Sequence, residues 1–278
     1  MRINKNFQNE KSTLYLVSTP IGNLEDISFR AVSVLNSVDL IFCEDTRVTG
    51  KLLNHLNIKK KMYSYHEHNK DSQGAFIISN LNEGKNIALV SDAGMPIISD
   101  PGFEVVKEAL DNFNIVPIPG ANAALTALIA SGIAPKPFTY YGFLDHKQSK
   151  KKSELEKLKG INHTLIFYES IHRISKTLKL MLEVFGDREI VICRKLTKKI
   201  EEFTFGTLSE VAKEIDTLKG ELVLIVSGNS DELVYEGSAM DHVESFVKDG
   251  TLPNEAIKKV AKLRGLRKQD VYNEYHLK

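Results

Sequence analysis

The stretch Leu14-Tyr15-Leu16-Val17-Ser18-Thr19-Pro20-Ile21-Gly22-Asn23 reads as a buried strand running into a rigid, glycine-containing loop. An open α/β sheet places its ligand at strand ends of this kind. The same design recurs at Ile87-Ala88-Leu89-Val90, which leads into Ser91-Asp92-Ala93-Gly94-Met95-Pro96 and then Ser99-Asp100-Pro101-Gly102. Two such loops predict a cleft built largely from backbone. Neither has the Gly-x-Gly-x-x-Gly spacing or the Gly-x-x-x-x-Gly-Lys cradle of nucleotide sites, so the ligand is not expected to be held through phosphates.

Working outward, helical spacing covers Ile27–Asn36 and Thr49–Leu56, with a short strand over Asp39–Cys43 between them. Gly102–Phe113 reads as a helix, Ile115–Ile118 as a strand, and Ala124–Ser131 as a helix of small residues that lets a backbone or ligand come close. The alternation of strand and helix predicts parallel pairing. From Phe138 the pattern restarts: strands at Tyr140–Phe143, Thr164–Tyr168, Glu189–Arg194, Phe203–Thr207 and Glu221–Ser227, helices at Ile174–Phe185 and Ser209–Leu218. The last fifty residues show only helical spacing. The expected division is an N-terminal α/β domain over 1–122, a C-terminal α/β domain over 123–230 and a small helical module over 231–278.

With 278 residues, 42% of them hydrophobic and 26% charged, the chain can bury a full core and divide into two domains. Cys43 and Cys193 each sit inside a strand, which predicts two buried thiols in a reducing cytoplasm rather than a disulfide. The polar start Met1–Ser12 is unlike a signal peptide, and no apolar run approaches the ~20 residues of a membrane span. A cytoplasmic protein with no membrane contact is expected.

In their order along the chain, Ser18–Leu24, Glu44-Asp45-Thr46-Arg47, Val90–Gly94, Pro96 with Asp100-Pro101-Gly102, Pro119-Gly120, Phe167–Ser170 with His172-Arg173, and Gly220-Glu221 form a specific set. On these motifs the chain resembles the tetrapyrrole methylase superfamily and, within it, the methyltransferases of small-subunit ribosomal RNA. The resemblance runs from about Leu14 to Gly228. It implies two α/β domains of the class III methyltransferase type, S-adenosyl-L-methionine folded into the cleft between them, a homodimer, and 2′-O-methylation of a decoding-centre cytidine in 16S ribosomal RNA. The cofactor contacts it implies are Pro20, Ile21, Ser91, Asp92, Ala93, Gly94, Pro96, Ala121, Tyr168, Leu196 and Glu221. The chain departs from the commonest family pattern at Met95, where threonine is usual, at Ile171 and at Asn122-Ala123; Met95 puts one side-chain hydrogen bond in doubt.

Read physically, S-adenosylmethionine needs apolar walls and short polar contacts, which Gly94, Gly120 and the fixed φ of Pro20, Pro96 and Pro119 suit. Methyl transfer to a ribose hydroxyl requires donor and acceptor held in line and a group to take the proton. Glu44, Asp45, His66, Glu169 and His172 are the candidates for that proton. Arg47, Arg173, Arg194 and Lys195 are the candidates for phosphate or oxyanion contacts. Glu44–Arg47 also fits a helix cap with an ion pair, and Tyr168–Arg173 a cap through Ser170. His66 and His68 stand at strand spacing without an evident third ligand, so no metal site is expected.

Positive charge for RNA is expected at Lys147, Lys150, Lys151 and Lys152 in a loop. A second source is Lys248–Lys278, whose eight lysines and arginines exceed its acidic residues by four. A solvated helix face would carry the same tail. The competing functions are methylation of a tetrapyrrole or other small acceptor on the same fold, and a non-catalytic RNA-binding assembly protein.

Overall fold

In the computed structural model of the chain, residues 5–6, 9–214, 221–230 and 237–276 are described. The chain divides into two compact units, residues 1–229 and 230–278. The first holds both sheets. Its opening half runs β1 (Thr13–Val17), α1 (Phe29–Ser37), β2 (Leu40–Cys43), α2 (Thr46–His55), β3 (Lys61–Ser64), α3 (Lys70–Asn82), β4 (Ile87–Val90), α4 (Phe103–Ala109) and β5 (Asn114–Ile118). These strands form one sheet in the order β3-β2-β4-β1-β5, every pair parallel. Side-chain alternation splits the core across its faces: Val17 and Val90 pack with Ala31 and Leu35 on one side, Leu14 and Leu89 with Ile77 and Val105 on the other.

The second half runs α5 (Ala123–Ala130), β6 (Phe138–Phe143), α6 (Gln148–Leu158), β7 (Thr164–Ser170), α7 (Ile174–Phe185), β8 (Glu189–Arg194), β9 (Glu202–Thr207), α8 (Leu208–Glu214) and β10 (Glu221–Val226). The sheet order is β6-β7-β10-β8-β9. Only β6 and β7 are parallel; β10 lies antiparallel between β7 and β8, and β8 pairs antiparallel with β9. The parallel pairing expected from strand–helix alternation therefore holds for the first sheet, whereas β8 and β9 follow one another without a helix and turn the second sheet mixed. One face carries α6, α7 and α8 over Leu165, Phe167, Ile192 and Leu224. The other carries α5, whose Ala124, Ala127 and Leu128 pack on Ile166, Val191, Val223 and Ile225.

The lysine-rich segment expected as a loop is helix α6, and one of its lysines points inward. Lys151, only 3% exposed, donates from Nζ to Glu169 Oε2 at 3.2 Å and to Thr177 Oγ1 at 2.6 Å. Arg173 Nε donates to Glu169 Oε1 at 2.7 Å, and the Ser170 N–H to the same oxygen at 2.8 Å. A buried carboxylate so paired ties α6, β7 and α7 together. Breaking one member leaves charge uncompensated, so Lys151→Met is expected to lower the unfolding free energy by about 2–3 kcal/mol. Urea titration checks this, and an unchanged midpoint would show that the network contributes nothing net.

The second unit consists of α9 (Ala239–Lys248), α10 (Pro253–Leu263) and α11 (Lys268–His276) around Val243, Ile257, Val260 and Val271. A capping box starts α9: Ser238 Oγ accepts from the Asp241 N–H at 3.1 Å, and Asp241 Oδ2 accepts from the Ser238 N–H at 2.7 Å. Of the helix expected over Ser209–Leu218, residues 215–218 lie outside the described residues, as does Lys278 of the basic tail. No helix among the described residues is long and apolar enough to cross a membrane.

Candidate active site

The loops after β1 and β4 lock onto each other through backbone. The Thr19 N–H donates to Gly94 O at 2.9 Å, and the Gly94 N–H returns a bond to Thr19 O at 3.1 Å. Thr19 Oγ1 donates to Ser91 O at 3.0 Å, and Ser91 Oγ to Asp100 Oδ2 at 2.5 Å. Glycine at position 120 lets the loop after β5 close on this pair, since a Cβ there would stand 2.8 Å from Ser18 Cβ. Backbone strain gathers at the same place: Ile97 (φ 75°), Ser99 (φ 68°), Lys195 (φ 53°) and Thr197 (φ 63°) all lie in the left-handed region. Non-glycine residues hold such angles only where the surroundings over-determine them, a condition frequent at ligand sites.

Between the two sheets lies a cleft with about 850 Å³ of empty space out to its mouth, solvent included. Ile21, Ala93, Gly94 and Met95 form the wall from the first sheet; Tyr168, Cys193, Leu196 and Val223 form the wall from the second. Glu221 supplies a carboxylate, and Lys195 and Lys198 supply cations. Tyr168 stands in an aromatic corner, its ring centroid 5.3 Å from Tyr140 and 5.5 Å from Phe143, with its Oη accepting from the Ala124 N–H at 3.2 Å. Burial pushes the Tyr168 hydroxyl up and the Cys193 thiol up to about 12, so both stay neutral.

Beside the cleft, the ends of β2 and β4 gather acids. Burial raises the Glu44 carboxyl above its ordinary value, and Asp100 and Asp92 add repulsion. Asp100 is raised by burial, against the Ser91 hydrogen bond, and feels both Asp92 and Glu221. Asp92 is raised by burial while its Oδ1 accepts the Asp45 N–H at 3.0 Å. Asp45 goes the other way. Hydrogen bonds from the Arg47 guanidinium and backbone N–H hold it at about 2, with Arg47 Nη2 at 2.6 Å and Arg47 N at 2.8 Å. It caps α2, which explains why that helix begins at Thr46 and not at the expected Thr49.

A depressed carboxyl stabilises the fold above its unfolded pKa and loses that contribution as pH falls through the folded value. Asp45→Asn keeps a capping side chain and removes the titration. Wild type is therefore expected to exceed Asp45→Asn in stability above about pH 4, the excess fading toward about pH 2. Urea midpoints across that range check the crossover.

Of the expected cofactor contacts, Ile21, Ala93, Gly94, Tyr168, Leu196 and Glu221 border the cleft. Pro20, Ser91, Asp92, Pro96 and Ala121 do not border it; Ser91 and Asp92 act as braces through the bonds above. Sequence reasoning missed Phe143, Cys193, Val223 and Lys198. Alternation along β8 and β10 would have flagged Cys193 and Val223, which share a face with Tyr168. That same alternation turns Glu169 to the opposite face of β7. Burial alone would raise its carboxyl, but bonds from Thr177, Arg173 and Ser170 outweigh burial and hold it below the ordinary value. Fully committed and 1% exposed, Glu169 is corrected from proton acceptor to structural anchor. Arg173 is spent on Glu169 and Leu144 O, and Ser170 caps no helix with its side chain. His66 and His68 lie in the turn after β3, not on a strand, with ring centroids 6.0 Å apart.

A two-sheet fold with a cleft walled by the loops of β1 and β4 defines a class of methyltransferase, and residues 13–212 match the family described as Tetrapyrrole (Corrin/Porphyrin) Methylases; the chain belongs to that family. Within it, the chain is 53% identical over 284 residues to Ribosomal RNA small subunit methyltransferase I of Bacillus subtilis (strain 168), covering 98% of this chain and 97% of the relative. The protein of the same name from Haemophilus influenzae is 43% identical, covering 93% and 94%. Among solved structures, diphthine synthase superposes with a TM-score of 0.60 at 12% identity over 78% of this chain and 90% of that one. Uroporphyrin-III C-methyltransferase from Thermus thermophilus, complexed with S-adenyl homocysteine, gives 0.57 at 16% identity over 78% and 97%. These structural likenesses show the fold.

Proposed function

We propose that this chain transfers a methyl group from S-adenosyl-L-methionine to the ribose 2′-hydroxyl of a decoding-centre cytidine in 16S ribosomal RNA. The observation that carries the reading is the cleft itself. Its apolar walls, one carboxylate at Glu221 and loops joined through backbone suit an adenosine with a sulfonium and an amino acid end, and the β1 and β4 loops supply no phosphate cradle. The relatives' shared name as small-subunit ribosomal RNA methyltransferases supports the acceptor. When bound, the cofactor supplies an electrophilic methyl group on sulfur.

The chain's residues then have separable tasks. Ile21, Ala93, Leu196 and Val223 would exclude water, and the Tyr168 corner would fix the depth of the cofactor. Glu221 would face its cationic groups and Lys195 or Lys198 its carboxylate. On the acceptor side, Asp45 already holds Arg47 at the mouth, its side chain 88% exposed and ready for a phosphate. The Glu44 side chain has no hydrogen bond among the described residues and a raised carboxyl, so it is placed to take the hydroxyl proton. Asp45 is too acidic for that task.

A homodimer in the cytoplasm completes the reading. Leu125 and Ile129, spaced i and i+4 on α5 and 46% and 81% exposed, present an apolar face that a second copy would cover. The deciding experiment maps ribose methylation in 16S ribosomal RNA from cells with and without this protein. Loss of one cytidine 2′-O-methyl mark is expected, and an unchanged map would reject the reading.

A further inference from the structure

The 21 residues from Thr46 to His66 contain no aspartate or glutamate and five cations, Arg47, Lys51, Lys59, Lys60 and Lys61. On α2 the buried residues are Thr49, Leu52 and Leu53, which leaves Arg47, Lys51 and His55 exposed along the outer side at i, i+4 and i+8. At 1.5 Å per residue this row rises about 12 Å along the helix. It starts beside the acids at the end of β2 and ends near Lys59 and Lys61, both exposed. Lys60 is partly spent, donating to Val38 O at 2.7 Å, and Lys61 lies 5.1 Å from the Tyr63 ring centroid. Lys51, Lys59 and Lys61 form no ion pair among the described residues. A hollow of about 750 Å³, open to solvent, sits at the far end, floored by Leu53, Ile58 and Met62 and rimmed by Lys59, Lys60 and Lys61.

We infer that this row is an RNA-binding track, separate from the basic C-terminal tail, which takes successive phosphates of the strand leading into the site. The inference rests on the ribosomal RNA reading above and adds to it where the strand runs. Glu44, Asp92 and Asp100 repel a phosphate at the mouth, so a strand can present its ribose there only if its backbone is held outside the acids. The outer face of α2 is the cationic surface that begins at that point. A single file of cations matches a flexible polyanion, since single-stranded sites follow the backbone with such charge, and the hollow at its end offers the apolar side chains of Leu53, Ile58 and Met62 to a base that has left the stack. A flat anionic membrane would call for a broad patch instead.

The test compares wild type with the Lys51→Gln, Lys59→Gln, Lys61→Gln triple variant of the full chain. Binding to small ribosomal subunits lacking the methyl mark is measured across potassium chloride concentrations. Three lost single-strand phosphate contacts should reduce the salt slope by about two and the affinity by tenfold or more near 0.1 M salt, at about 0.7 per contact. Cofactor affinity should stay at the wild-type value, and the loss should appear in KM for subunits with kcat retained. A second variant, Lys157→Gln, Lys176→Gln, Lys179→Gln, removes the same charge from the exposed side of α6 and α7. An unchanged slope in the first variant, or an equal loss in the second, overturns the track while wild-type methylation still stands. Wild type that neither binds nor methylates subunits overturns the functional reading and the track with it.

Discussion

Gly94→Val is expected to abolish S-adenosylmethionine binding. Gly94 sits at φ +87°, and its N–H and C=O are both committed to Thr19. The loop therefore cannot relax the angle without opening the bridge that joins the two strand ends. An L-residue held in the left-handed region costs about 1–2 kcal/mol, and a β-branched one more. A Cβ built there already stands 3.4 Å from Ile21 Cγ2 and 3.7 Å from Ala121 O. The two further methyl groups of valine have to go into the cleft or push Ile21 into it. Calorimetric titration should show no saturable binding by a protein whose circular dichroism matches wild type. Gly94→Ala brings only the first methyl group and is expected to lose less. Wild-type affinity in both variants would move the cofactor away from this loop.

The same residues show how far the sequence could be read. Ile87–Val90 and Leu40–Cys43 are buried on both faces, so their signal is an unbroken apolar run. β3 sits at a sheet edge with Lys61 exposed and Met62, Tyr63 and Ser64 half-buried, and it shows neither a run nor an alternation. α3 follows it with a buried Gly74 and Asn80 among its contacts and no side-chain cap, so its start carries no signal. In α6 three consecutive lysines hide an inward position, because Lys151 is buried only by virtue of Glu169, which lies 18 residues further along. The β1 and β4 loops were legible because proline and glycine announce their backbone. The opposing loop was not. Lys195 and Thr197 adopt positive φ without glycine, and they are held there by tertiary contacts, such as the close approach of Gly22 to Leu196 O. Chemistry at strand ends can be read from residue type, while selection among acids depends on who donates to whom. Glu44, Asp45 and Glu169 look alike in sequence and differ in their burial and their partners.

That difference yields the second large effect. Glu44→Gln is expected to reduce methylation by a factor of about 10² or more, the span of a lost general base being roughly 10²–10⁴, with cofactor affinity unchanged. Glutamine keeps the shape and loses the ability to take a proton. The pH dependence gives a sharper reading than the rate alone. Burial, then Asp100 and Asp92, raise the Glu44 carboxyl, so it begins to protonate at a higher pH than an ordinary glutamate. Only the carboxylate accepts a proton, so wild-type single-turnover methylation should fall as pH drops through that raised value. In Glu44→Gln the residual rate should lose this acid limb. Stability separates a catalytic role from a structural one. A carboxyl raised in the folded state opposes folding when ionised, because the unfolded chain holds the charge more easily. Removing it should leave the urea midpoint at neutral pH unchanged or higher. A lower midpoint, with activity falling only in proportion to the folded fraction, would assign Glu44 to the scaffold. Activity within about threefold of wild type with the acid limb intact would remove it from proton transfer. Asp100, which feels both Glu44's neighbour Asp92 and the cleft's Glu221, would then be the carboxylate to replace next.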